Sequence, residues 1–327
     1  MTDQIKLTLT WLNCPRHARM ALLLASVEED LAAEFMERSI VVLAAAQQQA
    51  QSLVKTSPRG VIILPGFGNN SADYTTLAAK LEAEGLVVTV AQVSRIDWSR
   101  NAAALGEKSW WEGRLNPRPA VDWYLTKVDT AMQELKQKVD GGPITMLTHS
   151  AGGWLGRVYL HGFGTAGVDR FVSLGSPHQP PPVGIMDQTR GILTHCSENF
   201  PGAFHPEINY TTIAGKFVKG AKLDQEGSPL AKFAGAGYQQ VCGDAEVWGD
   251  FIVPQACAHL EGATQLDLPG VFHSPLGEKL PFFGPWYGSD SILPLWLPYL
   301  TGVGIAPEQT ASAVVVDEQV VLVKEGR

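Results

Sequence analysis

Short apolar runs that alternate with helical patterns constrain the fold of this chain more than any other feature. Val61–Leu64 is a β-branched run that ends at Pro65-Gly66, and apolar residues at helical spacing follow over Tyr74–Glu84. Runs this short, apolar throughout and bounded by Gly or Pro, indicate strands buried on both faces of a parallel sheet. The same patterns predict strands at Leu86–Val93, Ile144–Leu147, Phe171–Leu174, Tyr210–Ala214 and Leu266–Val271, and helices at Ala120–Val139, Gly152–His161 and Ser289–Leu300. We therefore predict an α/β fold with a mostly parallel, open sheet flanked by helices.

Composition and charge limit the classes of function that we expect for this chain. The 327 residues are 45% apolar, enough for a large core, and carry a net charge of −8, which argues against nucleic-acid binding. No apolar run approaches the ~18 residues of a membrane span, so we expect no transmembrane segment, while peripheral contact with a membrane stays open. The four cysteines show no metal-binding spacing and favour a reducing compartment, although a Cys242–Cys257 disulfide stays open.

The two ends of the chain differ from its centre. Residues 1–55 contain a helical pattern and a Gln-rich stretch, and we expect an N-terminal helical extension there. A cleaved plastid leader is the alternative, but five acidic residues between Glu28 and Glu37 argue against it. A catalytic domain is predicted over 56–305 and a tail over 306–327, which either adds an edge strand or is disordered. No secretory pattern is convincing, so the predicted location is the cytoplasm or a chloroplast.

The nucleophile prediction comes from a serine between a strand and a helix. Ser150 follows the strand at Ile144–Leu147 within Thr148-His149-Ser150-Ala151-Gly152, close to the G-x-S-x-G pattern of a nucleophile elbow. Thr148 replaces the first glycine, which places a β-branched side chain where space is tight. The alternative is a serine-rich turn that only caps a helix.

A serine nucleophile needs a histidine base and a carboxylate that orients it, in the chain order Ser, Asp, His for this architecture. Asp250 stands in a tight turn and His273 directly follows the last predicted strand. Asp244 is the competing acid. The remaining histidines are expected to have other roles: His149 bonds locally, His259 packs or caps in a helix, and His178, His195 and His205 lie on the surface or in a lid.

The oxyanion site is predicted from the backbone N–H groups of Ala151 and Phe67. Gly66 and Gly68 let the loop after Leu64 turn its amides inward. The same glycines also suggest a dinucleotide loop, with Arg95 near a 2′-phosphate. That alternative is weaker, because Ser71 replaces the third glycine and no acid closes the second strand.

The chain resembles the lipase/esterase-type α/β-hydrolases of plants, algae and cyanobacteria in the segments 65–71, 148–154, 174–178 and 272–275 and around Asp250. The resemblance covers about residues 58–300. It implies an α/β-hydrolase fold and hydrolysis of a carboxylic ester by Ser150, Asp250 and His273 through an acyl-enzyme, with no cofactor and no metal. Chlorophyllases share this superfamily, but Ala151 stands where they have arginine.

Lid-like insertions are predicted at about 94–119, 177–209 and 217–248; the third separates a strand region from Asp250, and the first two are predicted to shape the substrate site. They carry aromatic residues and Met, among them Trp98, Trp110, Trp111, Met186, Phe200 and Phe204. Such side chains beside a cleft favour a lipophilic ester, either an acyl lipid or the phytyl ester of chlorophyll. The alternative function is a non-catalytic lipid- or pigment-binding module on the same scaffold, which Thr148 favours.

Overall fold

A parallel sheet forms the centre of the computed structural model, which describes residues 57–276, 283–302 and the backbone of 314–315. The strands in chain order are β1 (Gly60–Leu64), β2 (Val87–Val90), β3 (Ile144–His149), β4 (Val168–Leu174), β5 (Asn209–Lys216), β6 (Val218–Lys219), β7 (Trp248–Gly249), β8 (Thr264–Pro269) and β9 (Val314–Val315). The sheet order is β2-β1-β3-β4-β5-β8-β9, and each neighbouring pair is parallel. The predicted fold class is confirmed.

The helices that cover this sheet are α1 (Thr75–Ala83), α2 (Lys108–Trp111), α3 (Pro117–Ala120), α4 (Asp122–Val139), α5 (Gly152–Phe163), α6 (Ile192–Asn199), α7 (Pro229–Cys242) and α8 (Leu293–Thr301). The described residues also include 3₁₀ segments at Ser71–Tyr74, Arg95–Gly106 and Gln255–Cys257. Among the described residues, no helix combines the length and the apolar character that crossing a bilayer requires.

Alternate residues of one strand enter two different cores. Ile62 and Leu64 pack with residues of α4 and α5, whereas Val61 and Ile63 pack with residues of α1 and α8. Helices therefore cover both faces of the sheet, which explains why β1 is apolar at every position.

Strand and helix ends follow the predictions within a few residues, with some corrections. β2 ends at Val90, three residues early, and α8 begins at Leu293 rather than Ser289. The C-terminal tail contributes the short strand β9, which pairs with Leu266 and Asp267. Cys196, Cys242 and Cys257 are free thiols, so Cys242 and Cys257 form no disulfide. The predicted N-terminal extension lies outside the described residues.

Candidate active site

Ser150 occupies the turn between β3 and α5 with a φ of 53°, a left-handed conformation that costs energy for any residue except glycine. Two glycines allow this turn to sit against the end of β1. A Cβ atom on Gly66 would lie 2.7 Å from the Ser150 Cβ, and one on Gly152 would collide with the Leu64 carbonyl. The turn therefore projects the serine side chain at the carboxyl ends of the strands.

Thr148 fits because a glycine faces it from the next helix. The Thr148 side chain is buried, and its hydroxyl donates to the Val172 carbonyl at 3.3 Å. A Cβ atom on Gly156 of α5 would lie 3.2 Å from the Thr148 Cγ2, which is tighter than ordinary packing allows. The absence of a side chain at Gly156 therefore relieves crowding around Thr148, Met146 and Phe171.

Two hydrogen bonds join Asp250 and His273. The His273 Nδ1 lies 2.7 Å from the Asp250 Oδ2, and the His273 backbone N–H donates to the Asp250 carbonyl at 2.9 Å. The other carboxylate oxygen accepts the N–H groups of Ile252 and Val253 at 3.1 and 2.7 Å. Because Nδ1 bonds the carboxylate, the proton is assigned there, and Nε2 is left to accept a proton from a nucleophile.

Asp244, the competing acid, lies elsewhere. Its side chain is exposed and accepts the Glu246 backbone N–H at 2.8 Å, which makes it a local turn residue. It is not among the residues that line the cavity around Ser150.

Tyr287 contacts the Asp250 carboxylate, and no sequence pattern pointed to this residue. Its hydroxyl donates to the Asp250 Oδ2 at 2.8 Å and accepts the Gly215 N–H at the same distance. Burial raises the pKa of Tyr287 well above its ordinary value, so the phenol stays protonated as a donor. A Cβ atom on Gly175 or Gly215 would strike Tyr287 or Asp250, so these two strand-end glycines make room for the pair.

Residues 66–69 form a tight turn beside Ser150 and are called the oxyanion loop after the role predicted for Phe67. The Asn69 N–H donates to the Gly66 carbonyl at 3.1 Å, and Gly68 has a φ of 73°, which this kind of turn requires. Neither the Phe67 nor the Ala151 backbone N–H donates to a protein acceptor within the described residues. Ala151 also caps α5, whose dipole favours negative charge at this end.

Ser150, Ala151, Phe67 and His273 all line one cavity of about 650 Å³. Its apolar wall comes from the first two predicted insertions and from α5, and includes Trp98, Trp110, Leu115, Trp154, Ile192 and Leu193. Gln179, Gln188 and Gln240 contribute polar groups. All three predicted insertions therefore reach the cavity.

Several aromatic and Met residues predicted for the pocket lie elsewhere. Trp111 and Met186 are exposed and do not line the cavity, and Phe200 is buried with its ring 4.6 Å from that of His161. Sequence patterns identified the insertions but not which of their side chains turn inward.

Three histidine predictions need correction. His178 is buried, not on the surface, and its Nε2 lies 2.9 Å from the Ser173 hydroxyl. His259 lies outside any helix and bonds Asp267. His149 was predicted to bond locally, but it is buried and reaches the His273 carbonyl at 2.9 Å. Only the contact of His149 joins residues far apart in sequence, because Ser173 and Asp267 lie within eight residues of His178 and His259.

The geometry of the loop does not support the alternative of a dinucleotide-binding site. Arg95 lies 2.8 Å from the Asp73 carboxylate, so its guanidinium already has an anionic partner. The loop that would hold a pyrophosphate packs directly against Ser150. In the part of the chain that the structure describes, no group of three or more His, Cys, Asp or Glu residues could hold a metal ion.

No protein-family model matches the chain, and no curated protein matches it in sequence. Solved structures do show similarity. The lipase BlEst2 of Bacillus licheniformis is 18% identical, with a TM-score of 0.46 over 75% of this chain and 93% of that one. A protein from Listeria innocua is 13% identical, with a TM-score of 0.43 over 80% and 99%. The poly(3-hydroxybutyrate) depolymerase LpqC of Bordetella parapertussis is 16% identical, with a TM-score of 0.42 over 68% and 75%.

None of these three structures comes from a plant, an alga or a cyanobacterium. That part of the resemblance, together with chlorophyllase activity and a chloroplast location, gains no support from them and stays a prediction.

Proposed function

We propose that this chain is a cofactor-independent serine hydrolase of carboxylic esters. One observation carries the proposal: the buried, hydrogen-bonded pair of Asp250 and His273 opens onto the same cavity as Ser150, whose backbone is held in a strained turn. Strain retained at a cavity wall points to function, because a structural serine gains nothing from it.

The proposed reaction begins with attack of the Ser150 Oγ on the ester carbonyl. His273 takes the serine proton at Nε2 and passes it to the departing alcohol, which leaves an acyl-enzyme. Asp250 holds the ring in the required tautomer and stabilises its positive charge. Water, activated by the same histidine, then attacks the acyl carbonyl, and Ser150 is regenerated with release of the acid.

The tetrahedral intermediates carry negative charge on the former carbonyl oxygen. The backbone N–H groups of Phe67 and Ala151 are the proposed donors to that oxygen. Removing one such donor typically costs about 3–4 kcal/mol of transition-state stabilisation. Both N–H groups are free of protein acceptors within the described residues, as this role requires.

The proposed substrate is a lipophilic ester, because the cavity wall is largely aromatic and aliphatic. An acyl lipid is the first candidate and the phytyl ester of chlorophyll the second. Exposed Phe67 and Ile252 lie on the cavity wall and are compatible with peripheral contact with a membrane.

The test is turnover of a panel of short-chain and long-chain p-nitrophenyl esters, a galactolipid and chlorophyll. Ser150→Ala should lower kcat by about 10⁴- to 10⁶-fold. Thr212→Val, which removes a buried hydroxyl away from the cavity, should keep kcat within about twofold. Retained turnover by the Ser150 variant would refute the assignment. A chlorophyll preference would select the second substrate, and no hydrolysis at all by the native chain would favour the binding module.

A further inference from the structure

A buried tyrosine lies directly behind the oxyanion loop. The Tyr74 hydroxyl accepts the Gly66 backbone N–H at 3.0 Å and the Asn69 side-chain N–H at 2.9 Å. These two donors flank Phe67, the proposed donor to the oxyanion. The tyrosine is completely buried, so water does not compete for its hydroxyl.

A buried histidine continues this chain of hydrogen bonds to the proposed base. The His149 Nδ1 lies 2.7 Å from the Tyr74 hydroxyl, and its Nε2 lies 2.9 Å from the His273 carbonyl oxygen. The two imidazole rings are 4.8 Å apart. His149 thus links the oxyanion loop to the backbone of His273.

The direction of each bond follows from the groups involved. A carbonyl oxygen only accepts, so the His149 Nε2 carries a proton. Burial lowers the pKa of His149 to about 3, so the ring is neutral and Nδ1 accepts the Tyr74 O–H. Tyr74 then has two lone pairs for Gly66 and Asn69, and no donor in the chain lacks an acceptor.

We propose that Tyr74 and His149 are positioning residues that fix the oxyanion loop relative to His273. The inference rests on the proposed function, because it concerns the placement of groups that act on the ester. Neither residue transfers a proton to the substrate. Their role is to keep the oxyanion donor and the base at one separation while charge develops between them, since small displacements in an active site are costly.

Substitutions of Tyr74 and His149 test the two links of the hydrogen-bond chain separately. Tyr74→Phe removes the acceptor of Gly66 and Asn69. His149→Gln retains an N–H for the His273 carbonyl, because the glutamine amide reaches the position of Nε2, but it leaves the tyrosine without its ring acceptor. Each variant should lower kcat by about 10- to 100-fold at nearly unchanged KM. Tyr159→Phe is the matched control, since it removes another buried tyrosine hydroxyl, bonded to Asp129 on the surface of α4.

The double variant Tyr74→Phe/His149→Gln gives a second readout. Because both substitutions break one chain, its kcat should be no lower than about that of the slower single variant. Residues that only support packing would instead give independent, multiplied losses and a lowered Tm. A kcat within twofold of native in either folded single variant, or fully multiplicative losses, would overturn the proposal.

Side-chain ¹⁵N NMR of the native protein tests the hydrogen-bond chain without an activity assay. At pH 7 His149 should be neutral and protonated at Nε2, and Tyr74→Phe should shift its Nδ1 resonance. A ring protonated at Nδ1 would overturn the proposal even if the variants unfold. Ester hydrolysis by the native chain checks the proposed function separately, so an inactive native protein with the predicted tautomer refutes the function and not the hydrogen-bond chain.

Discussion

Two arrangements of hydroxyl, imidazole and carboxylate can be compared in the part of the chain that the structure describes, and only one of them lines the described cavity. The first is Ser150, His273 and Asp250. In the second, the Thr212 hydroxyl lies 3.0 Å from the His259 Nδ1, and the His259 Nε2 lies 3.1 Å from the Asp267 Oδ1. By residue types and hydrogen bonds alone, the second group resembles a catalytic triad at least as closely as the first, in which the described hydrogen bonds join only His273 and Asp250.

The backbone conformation at the hydroxyl residue and the access of each group to the cavity distinguish the two arrangements. Thr212 lies within the regular strand β5 and is fully buried, and none of its group lines the described cavity. Ser150 lies in a left-handed turn on the cavity wall. The second group ties β5 to β8 at Asp267, so its hydrogen bonds serve the sheet. Backbone strain and access to the cavity therefore distinguish the proposed triad from a group with similar residue types.

The largest expected difference in kcat is between substitutions of the Asp250 and Asp267 carboxylates. Asp250→Asn should lower kcat for a p-nitrophenyl ester by about 10⁴-fold, because the amide favours the wrong histidine tautomer. Asp267→Asn should leave kcat within about twofold and instead lower the free energy of unfolding by about 1–3 kcal/mol. Asp244→Asn, at an exposed turn, should change neither quantity appreciably. Steady-state kinetics and denaturant unfolding check all three, and a larger kcat loss for Asp244→Asn would transfer the acid role to that residue.

Acid should lower the free energy of unfolding, because His149 is buried in its neutral form. Burial lowers the pKa of its folded state to about 3, whereas the unfolded state titrates near 6.5. Between these values the unfolded chain binds a proton that the folded chain does not, so stability falls as pH falls through this window. The slope from one such group is at most about 1.4 kcal/mol per pH unit.

His149→Gln should flatten the stability curve between pH 6.5 and 4, measured by urea unfolding. The slope should not vanish, because burial also lowers the pKa of His178. An unchanged slope in the variant would contradict a buried neutral ring at position 149.

Tyr287 offers a smaller test of the first arrangement. Tyr287→Phe removes one donor from the Asp250 carboxylate and should lower kcat by about tenfold. With one donor fewer, the carboxylate attracts the His273 proton more strongly, so the acid limb of the pH–rate profile should move to higher pH. Gln255→Leu, which removes the amide donor from Asp267, is the control and should leave that profile unchanged. A profile that does not move in Tyr287→Phe would limit Tyr287 to packing.

The smallest effect concerns backbone strain. Ser150→Gly should raise stability by about 1 kcal/mol, a Tm gain of about 2–4 °C, because glycine accepts the positive φ freely. Ser150→Ala keeps the Cβ atom and should show no such gain, which separates strain from loss of the hydroxyl. Thr212→Gly, in a regular strand, should lower Tm. A fall in Tm for Ser150→Gly would remove the argument from strain.

The sheet was predictable because its strands are short apolar runs bounded by Gly and Pro. In a parallel sheet the residues that follow the strands lie at one edge, so the strand ends indicate where candidate site residues lie. Those rules point to Ser150, Asp250 and His273 from the sequence, and the structure brings the last two into hydrogen-bond contact. Their catalytic roles remain predictions.

Other features depend on contacts that no local pattern encodes. Gly156 compensates for Thr148 across a helix–strand interface, and Tyr287 reaches Asp250 from 37 residues away. His178 carries the polar side chain of a surface residue but lies beneath α5. A helix prediction for His259 failed because its bonds to Thr212 and Asp267 decide the local backbone more than propensity does.

Labelling with a fluorophosphonate is the most direct measurement, because this reagent modifies only an activated serine. Peptide mass spectrometry of the native chain should place one adduct on Ser150 and none on Thr212. His273→Ala should slow the labelling by several orders of magnitude, on the scale of about 10⁴-fold. An unlabelled native chain, or labelling of Ser150 at the same rate without the His273 ring, would contradict the proposal that the two side chains act together.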